Sequence, residues 1–145
     1  MTNPTDPETS EHYMRTARRW FTEGWTGDLG MASDIFGDEL RTNGTRVGVA
    51  GPVSRIRDRL TAFPDLTTRI EDMFVSGDKL AVTLMWRGTH KGSYGGIAAT
   101  GKTVEVRDTA IWHFRHGKVA EILTIQDQFA MLKQIGYLPE SVYAT

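Results

Sequence analysis

Two aspartates stand where helices are expected to end. Asp38 follows Gly37, the stop of a predicted second helix, and Asp65 follows Pro64, the stop of a third. Two carboxyls can act as acid and base in one reaction when their surroundings separate their pKa values. A further carboxylate, Asp108, shares one face of a predicted strand with Val104, Val106, Ala110, Trp112 and Phe114. Burying a carboxylate costs on the order of several kcal/mol unless it is paired or hydrogen-bonded. Asp108 therefore has a partner or faces a wet cavity, and the adjacent Arg107 reads as a cross-strand ion pair. Asp127 closes the last predicted strand.

Histidine and cysteine chemistry is sparse. The chain has no cysteine, which excludes thiolate nucleophiles, disulfides and cysteine-bound zinc. Its four histidines show no His-x-x-x-His or His-x-Glu spacing, so neither a metal site nor a cofactor is expected. His12, His113 and His116 fall on a tail, an outward strand face and a turn, which leaves His90, at a strand end, as the one that could face a pocket. Trp20, Phe63, Trp86 and Trp112 are candidates to stack along an extended substrate. Gly92, Gly95, Gly96 and Gly101 flank a mobile loop rather than a phosphate cradle, because no helix follows them. Asn43-Gly44-Thr45 reads as a turn.

The elements that must position these residues follow from periodicity. The first ten residues, polar and carrying two prolines, are expected to be a flexible tail ahead of one domain over residues 11–145. Ser10 is expected to cap a first helix whose inward face is Tyr13, Ala17, Trp20, Phe21 and Gly24. Residues 28–36 read as a short second helix closed by Gly37, and residues 39–49 as a short strand or loop. Gly51-Pro52 opens a third helix, with Val53, Ile56, Leu60 and Phe63 as its stripe. Strands are then predicted over 66–76, 79–90, 102–115 and 118–127, joined by Gly77-Asp78, the glycine-rich loop and His116-Gly117. A final helical stretch over 129–136 ends at Gly136 and Pro139. Helices followed by an antiparallel meander is an α+β order, with the helices on one face of the sheet.

Composition narrows the function classes. One hundred and forty-five residues suit one core. At 39% hydrophobic with four Trp and six Phe, the chain can fill that core and still line an apolar cavity. A net charge of -1 with scattered basic residues gives no footprint for nucleic acid. There is no apolar run of about 18 residues and no signal-peptide pattern, so no membrane partner and a cytoplasmic location are expected.

Several short pieces in series resemble one family. Phe63-Pro64-Asp65-Leu66, Gly77-Asp78, Gly88-Thr89-His90-Lys91-Gly92, Thr100-Gly101-Lys102, His116-Gly117-Lys118-Val119-Ala120-Glu121, Asp127 and Gln134-Ile135-Gly136 resemble, in order and spacing, the SnoaL-like polyketide cyclases of the nuclear transport factor 2-like superfamily. The resemblance runs from about Leu29 to Pro139. It implies a cone, the cystatin-like α+β barrel, in which a curved antiparallel sheet and three N-terminal helices enclose an apolar pocket. It also implies a homodimer, with a homologous partner enzyme as a further possibility, and a hydrophobic, polyketide-like substrate.

The same resemblance bears on the site. Where the aldol-closing cyclases carry a catalytic aspartate near the start of the last segment, this chain has Thr124, which cannot do that work near neutral pH. Asp38 and Asp65 match acidic positions of the polyether epoxide hydrolases of the monensin and lasalocid type, and in this fold both helix exits overlook the pocket. That branch implies epoxide opening to cyclic ethers, with Asp38 as general base and Asp65 as general acid or the reverse. Trp20, Phe63, Trp86, His90, Asp108, Trp112 and Asp127 are then the residues expected to contact substrate. Aldol closure or hydroxylation would shift weight to Asp108, His90 or Asp127. A pocket used only for binding is the reading from outside enzymology.

Overall fold

A computed structural model describes residues 6–139 and 141. The first helix, α1 (Pro7–Arg19), begins earlier than expected, because Asp6 rather than Ser10 is its cap. The Asp6 carboxylate accepts from the Thr9 amide, and Pro7 occupies the first turn, where its missing N–H costs nothing. Residues 7–10 are thus helical; residues 1–5 of the expected tail lie outside the described residues. The helix runs into a single π-turn, Trp20–Gly24, in which the Trp25 amide bonds the Trp20 carbonyl. A side chain at position 24 would collide with the Trp20 ring, which is why that position is glycine. The predicted inward face of Tyr13, Ala17, Trp20 and Phe21 is buried.

The predicted second helix is present but one residue shorter at each end, and it is not α-helical throughout. Residues 29–31 form one 3-10 turn, and α2 (Ala32–Ile35) is a single turn. Strand β1 (Phe36–Thr42) starts where the helix was expected to continue, so Gly37 is a strand residue, not a helix stop, and Asp38 lies within the strand. Tertiary context overrode the helical pattern only at its last residue: β1 lies beside the last strand and turns Phe36 and Leu40 into the core. A turn through Asn43 and Gly44, both at positive φ, leads to β2 (Thr45–Arg46).

Helix α3 (Ala50–Ala62) packs with a stripe that only partly matches the predicted one, Ile56 and Phe63 being buried as expected. Pro52, Ile56, Arg59 and Ala62 are buried, whereas Val53 and Leu60 are only half-buried. The meander is as expected: β3 (Thr67–Ser76), β4 (Lys79–Thr89), β5 (Thr103–Arg115) and β6 (Lys118–Gln126), each antiparallel to the next. The turns also hold, with Gly77 between β3 and β4, and His116-Gly117, both at positive φ, between β5 and β6. Helix α4 (Gln128–Gln134) ends the fold, capped by the Asp127 carboxylate on the Ala130 amide.

The six strands form one sheet in the order β2-β1-β6-β5-β4-β3. It is mixed rather than antiparallel, because β1 runs parallel to β6. It is also curved and unclosed rather than a barrel. Register shifts in β3, β5 and β1 mark irregularities of the kind that bend a sheet. Along β5 burial alternates strictly, so Val104, Val106, Asp108, Ala110, Trp112 and Phe114 all face inward as predicted. The concave face thus carries a carboxylate in the middle of its longest strand.

Candidate functional site

Asp108 is buried between Leu84 on β4 and Gln126 on β6, its cross-strand neighbours. Three groups address it. The Thr124 hydroxyl donates to Oδ1 at 3.1 Å. Above Oδ2 sit two guanidinium groups from α3, Arg55 at 3.6 Å and Arg59 at 3.8 Å. These two residues are one helical turn apart, so their side chains reach the same spot. Neither makes a hydrogen bond to Oδ2, and that oxygen accepts none among the described residues. Arg107 is not the partner: it points to the opposite face and grips Glu71 on β3 through two bonds of 2.9 and 3.1 Å. The period of two in a strand puts residues 107 and 108 on opposite sides of the sheet.

Arg59 is held rigidly. Its guanidinium lies 4.4 Å from the centroid of Trp25 and 5.0 Å from that of Trp86, and it donates to Gln126 Oε1 at 2.8 Å. Gln126 in turn donates to Gln128 Oε1 at 2.6 Å and approaches the Tyr94 hydroxyl at 3.4 Å. Burial pushes Arg59 down to about 10, helped by the neighbouring Arg55 charge and opposed by Asp108. Burial also pushes Asp108 up, against the pull of Arg59, Arg55 and the Thr124 hydrogen bond. A carboxyl with a raised pKa, an oxygen without a hydrogen bond and a cation on either side is equipped to take up and return a proton.

Two cavities meet above this group, sharing Arg55 and Thr124. One, of about 220 Å³, is walled by Trp20, Phe21, Trp25, Ile56, Trp112 and Ile122. The other, of about 690 Å³, opens between α3, the 92–101 loop and β6, beside Arg59, Tyr94 and Gln126. Asp108 itself lines neither; Arg55, whose side chain is 39% exposed, stands between it and the open space.

The predicted site residues fall into three groups. Trp20 and Trp112 wall the aromatic cavity, and Asp108 lies beneath it. Phe63, Trp86 and His90 form a second buried cluster behind Arg59, with the Phe63 ring 5.0 Å from Trp86 and 5.4 Å from His90. Gly88 makes room for it, since a Cβ there would stand 2.8 Å from that of Phe63. His90 Nδ1 accepts from the Thr100 amide, which places the ring proton on the buried Nε2. Asp38, Asp65 and Asp127 lie elsewhere. Asp38 is exposed on β1 and Asp127 caps α4. Asp65, also exposed, accepts from the Thr89 amide and hydroxyl, both at 2.7 Å, and these bonds hold its pKa below the usual range. Strands β6 and β5 separate β1, which carries Asp38, from β4, which carries Thr89. The structure therefore does not bring the Asp38–Asp65 pair to one point, and neither residue lines the two cavities that meet at Arg55.

Sequence reasoning missed Arg55, Arg59 and Gln126. A signal was present: Arg59 is in phase with Pro52 and Ile56 on the helix, just as Asp108 is in phase with the apolar residues of its strand. Two opposite charges on two buried faces predict each other.

Comparison with known proteins agrees with this architecture. A candidate SnoaL-like polyketide cyclase from Jannaschia sp. CCS1 superposes with a TM-score of 0.82 at 23% identity, over 94% of this chain and 99% of that one. IdmH, a candidate polyketide cyclase from Streptomyces antibioticus, gives 0.73 at 25% identity, over 85% and 97%. AclR, a candidate hydroxylase from Streptomyces galilaeus, gives 0.75 at 23%, over 93% and 89%. No curated protein matches the chain. The SnoaL-like polyketide cyclase description matches residues 15–135, most of the chain, and the chain therefore belongs to the SnoaL-like polyketide cyclase family.

Proposed function

We propose that this protein is a cofactor-independent enzyme that closes a ring on a polyketide-like keto substrate, with Asp108 moving the proton. The observation that carries the reading is the buried Asp108 carboxylate, with an oxygen free of hydrogen bonds, beneath the junction of an aromatic and a polar cavity. The aromatic cavity seats the substrate's apolar body against Trp20 and Trp112. Arg55 moves aside, and Oδ2 takes a proton from the carbon next to a carbonyl. The resulting enolate carbon attacks a second carbonyl of the same molecule, and the new alkoxide recovers the proton from Asp108. Reactant and product are isomers, so no oxidant or cofactor enters. Arg59, unable to leave, holds the carboxylate in position throughout, and Thr124, which stands where relatives have a catalytic aspartate, steers the other oxygen.

Candidate cyclases among the structural neighbours support this reading, while AclR keeps hydroxylation in view. Opening an epoxide to a cyclic ether, as in polyether assembly, asks for two carboxyls around one substrate. Asp38 and Asp65 would be that pair, and their exposed, separated positions give it second place. The reading extends to a cytosolic homodimer: Ile111, Leu123 and Ile125 crowd the outer face of β5 and β6. No described helix is long and apolar enough to cross a membrane.

Product analysis by mass spectrometry tests the proposal, using the purified protein with a poly-β-keto chain analogue and, separately, with a polyepoxide analogue. The expected result is an isomeric carbocycle from the keto chain, made by wild type and not by Asp108→Asn. A cyclic ether from the polyepoxide, lost in Asp38→Asn and Asp65→Asn but not in Asp108→Asn, would overturn it. A chain that binds both analogues and converts neither is a binding protein.

A further inference from the structure

The two cavities that share Arg55 and Thr124 differ in chemistry, and the difference concerns charge. Against the single carboxylate of Asp108 the fold sets two guanidinium groups, so the floor of the site carries one positive charge more than it neutralises. Asp58, the other carboxylate beside the polar cavity, is exposed at its mouth, where water screens it. The two arginines are not equivalent. Arg59 is buried, stacked between Trp25 and Trp86, and bonded to Gln126. Arg55 has none of these restraints: it lines both cavities and meets Asp108 only at 3.6 Å. Close by, Tyr94 accepts from Gln126 Nε2, which leaves its own hydroxyl proton to donate. A half-exposed guanidinium without those restraints, with a phenol near it, in a cavity with surplus positive charge, is built to receive an anion, and the planar guanidinium fork matches a carboxylate with two parallel hydrogen bonds.

We propose that the polar cavity is a carboxylate subsite: Arg55 takes the acid end of a substrate whose apolar body lies in the aromatic cavity. The assignment rests on the reading of that aromatic cavity as the substrate's seat, and it names the substrate class as a free acid rather than an ester or amide. It also gives Arg55 a reason to leave Asp108. The incoming carboxylate draws Arg55 toward the polar cavity, uncovers Oδ2 and leaves Arg59 as the cation facing it. Binding the acid and exposing the base become one movement.

Isothermal titration of the intact protein with naphthalene carboxylate and with naphthalene carboxamide, near neutral pH, tests this. The two probes share shape and differ in charge. Wild type is expected to bind the acid about tenfold or more tightly than the amide, the usual worth of a charge-assisted hydrogen bond. Arg55→Gln, at a half-exposed position, is expected to erase that preference without changing affinity for the amide, and Arg55→Lys to restore part of it. Asp108→Asn removes the competing anion and is expected to tighten the acid alone by severalfold, an effect that a merely structural Arg55 would not produce. Equal binding of acid and amide by wild type, binding of neither, or a preference that survives Arg55→Gln would overturn the proposal. Failure of the ring-closing reading looks different: the acid preference stands while Asp108→Asn leaves turnover intact.

Discussion

Asp108 and Asp65 are both conspicuous carboxylates, and the fold treats them in opposite ways. Asp65 sits at the exit of α3 in contact with water, and both of its oxygens are engaged by Thr89, on the amide and the hydroxyl. Asp108 lies in the core, engages Thr124 with one oxygen, and leaves the other facing two cations without a hydrogen bond. The first is architecture: it ties the helix exit to β4 and gains from being ionised. The second is kept at a cost in desolvation that packing alone does not explain. A carboxylate whose acceptors are all engaged holds a structure together, and a buried one with an acceptor left over is available for chemistry.

The sharpest way to break this comparison is Asp108→Asn, expected to lower kcat by about 100- to 10,000-fold, the range of general acid–base catalysis, in a turnover assay on the keto analogue. Arg59→Met should cost about 3–5 kcal/mol in denaturant unfolding, because it removes a fixed buried partner of Asp108. The double variant Arg59→Met with Asp108→Leu should be less destabilised than Arg59→Met alone, since no buried charge is then left without its partner. A sum of two full penalties would mean that the pair is not an energetic unit. Asp65→Asn is expected to lose about 1 kcal/mol of stability by the same measurement, the net worth of a hydrogen bond, with turnover retained. Lost turnover on the keto analogue there would mean that Asp65 is more than architecture.

Acidity separates the two residues by sign. The raised pKa of Asp108 means that its base form, and hence turnover, is gained as pH rises through that value. Its effect on stability runs the other way: the folded state binds this proton more tightly than the unfolded chain, so the contribution is present at low pH and lost as pH rises through the folded pKa. The lowered pKa of Asp65 gives stability present above the unfolded value and lost as pH falls through the folded one. Thermal melts across acid pH for wild type, Asp108→Asn and Asp65→Asn should therefore show two slopes of opposite sign removed one at a time.

What was legible in the chain was local. Alternation along residues 103–115 assigned the inward face of β5 and singled out Asp108, and the turns at Gly77 and His116-Gly117 set the meander, because side-chain period and turn geometry are properties of neighbouring residues. The stretch 29–37 misled only at its end, where Phe36 pairs with Val119 of β6 and Gly37 continues the strand instead of stopping the helix. Asp65 does stand at the exit of α3, but Asp38 lies within β1, three residues past the end of α2. Only the tertiary structure could decide the site. It placed Arg55 and Arg59 from α3 over a carboxylate about fifty residues later in the chain, and it set the aromatic cavity against the polar one. Charge pairing across such a separation leaves no periodic trace in sequence: it depends on how the helix lies against the sheet, and that is settled by burial of the whole core.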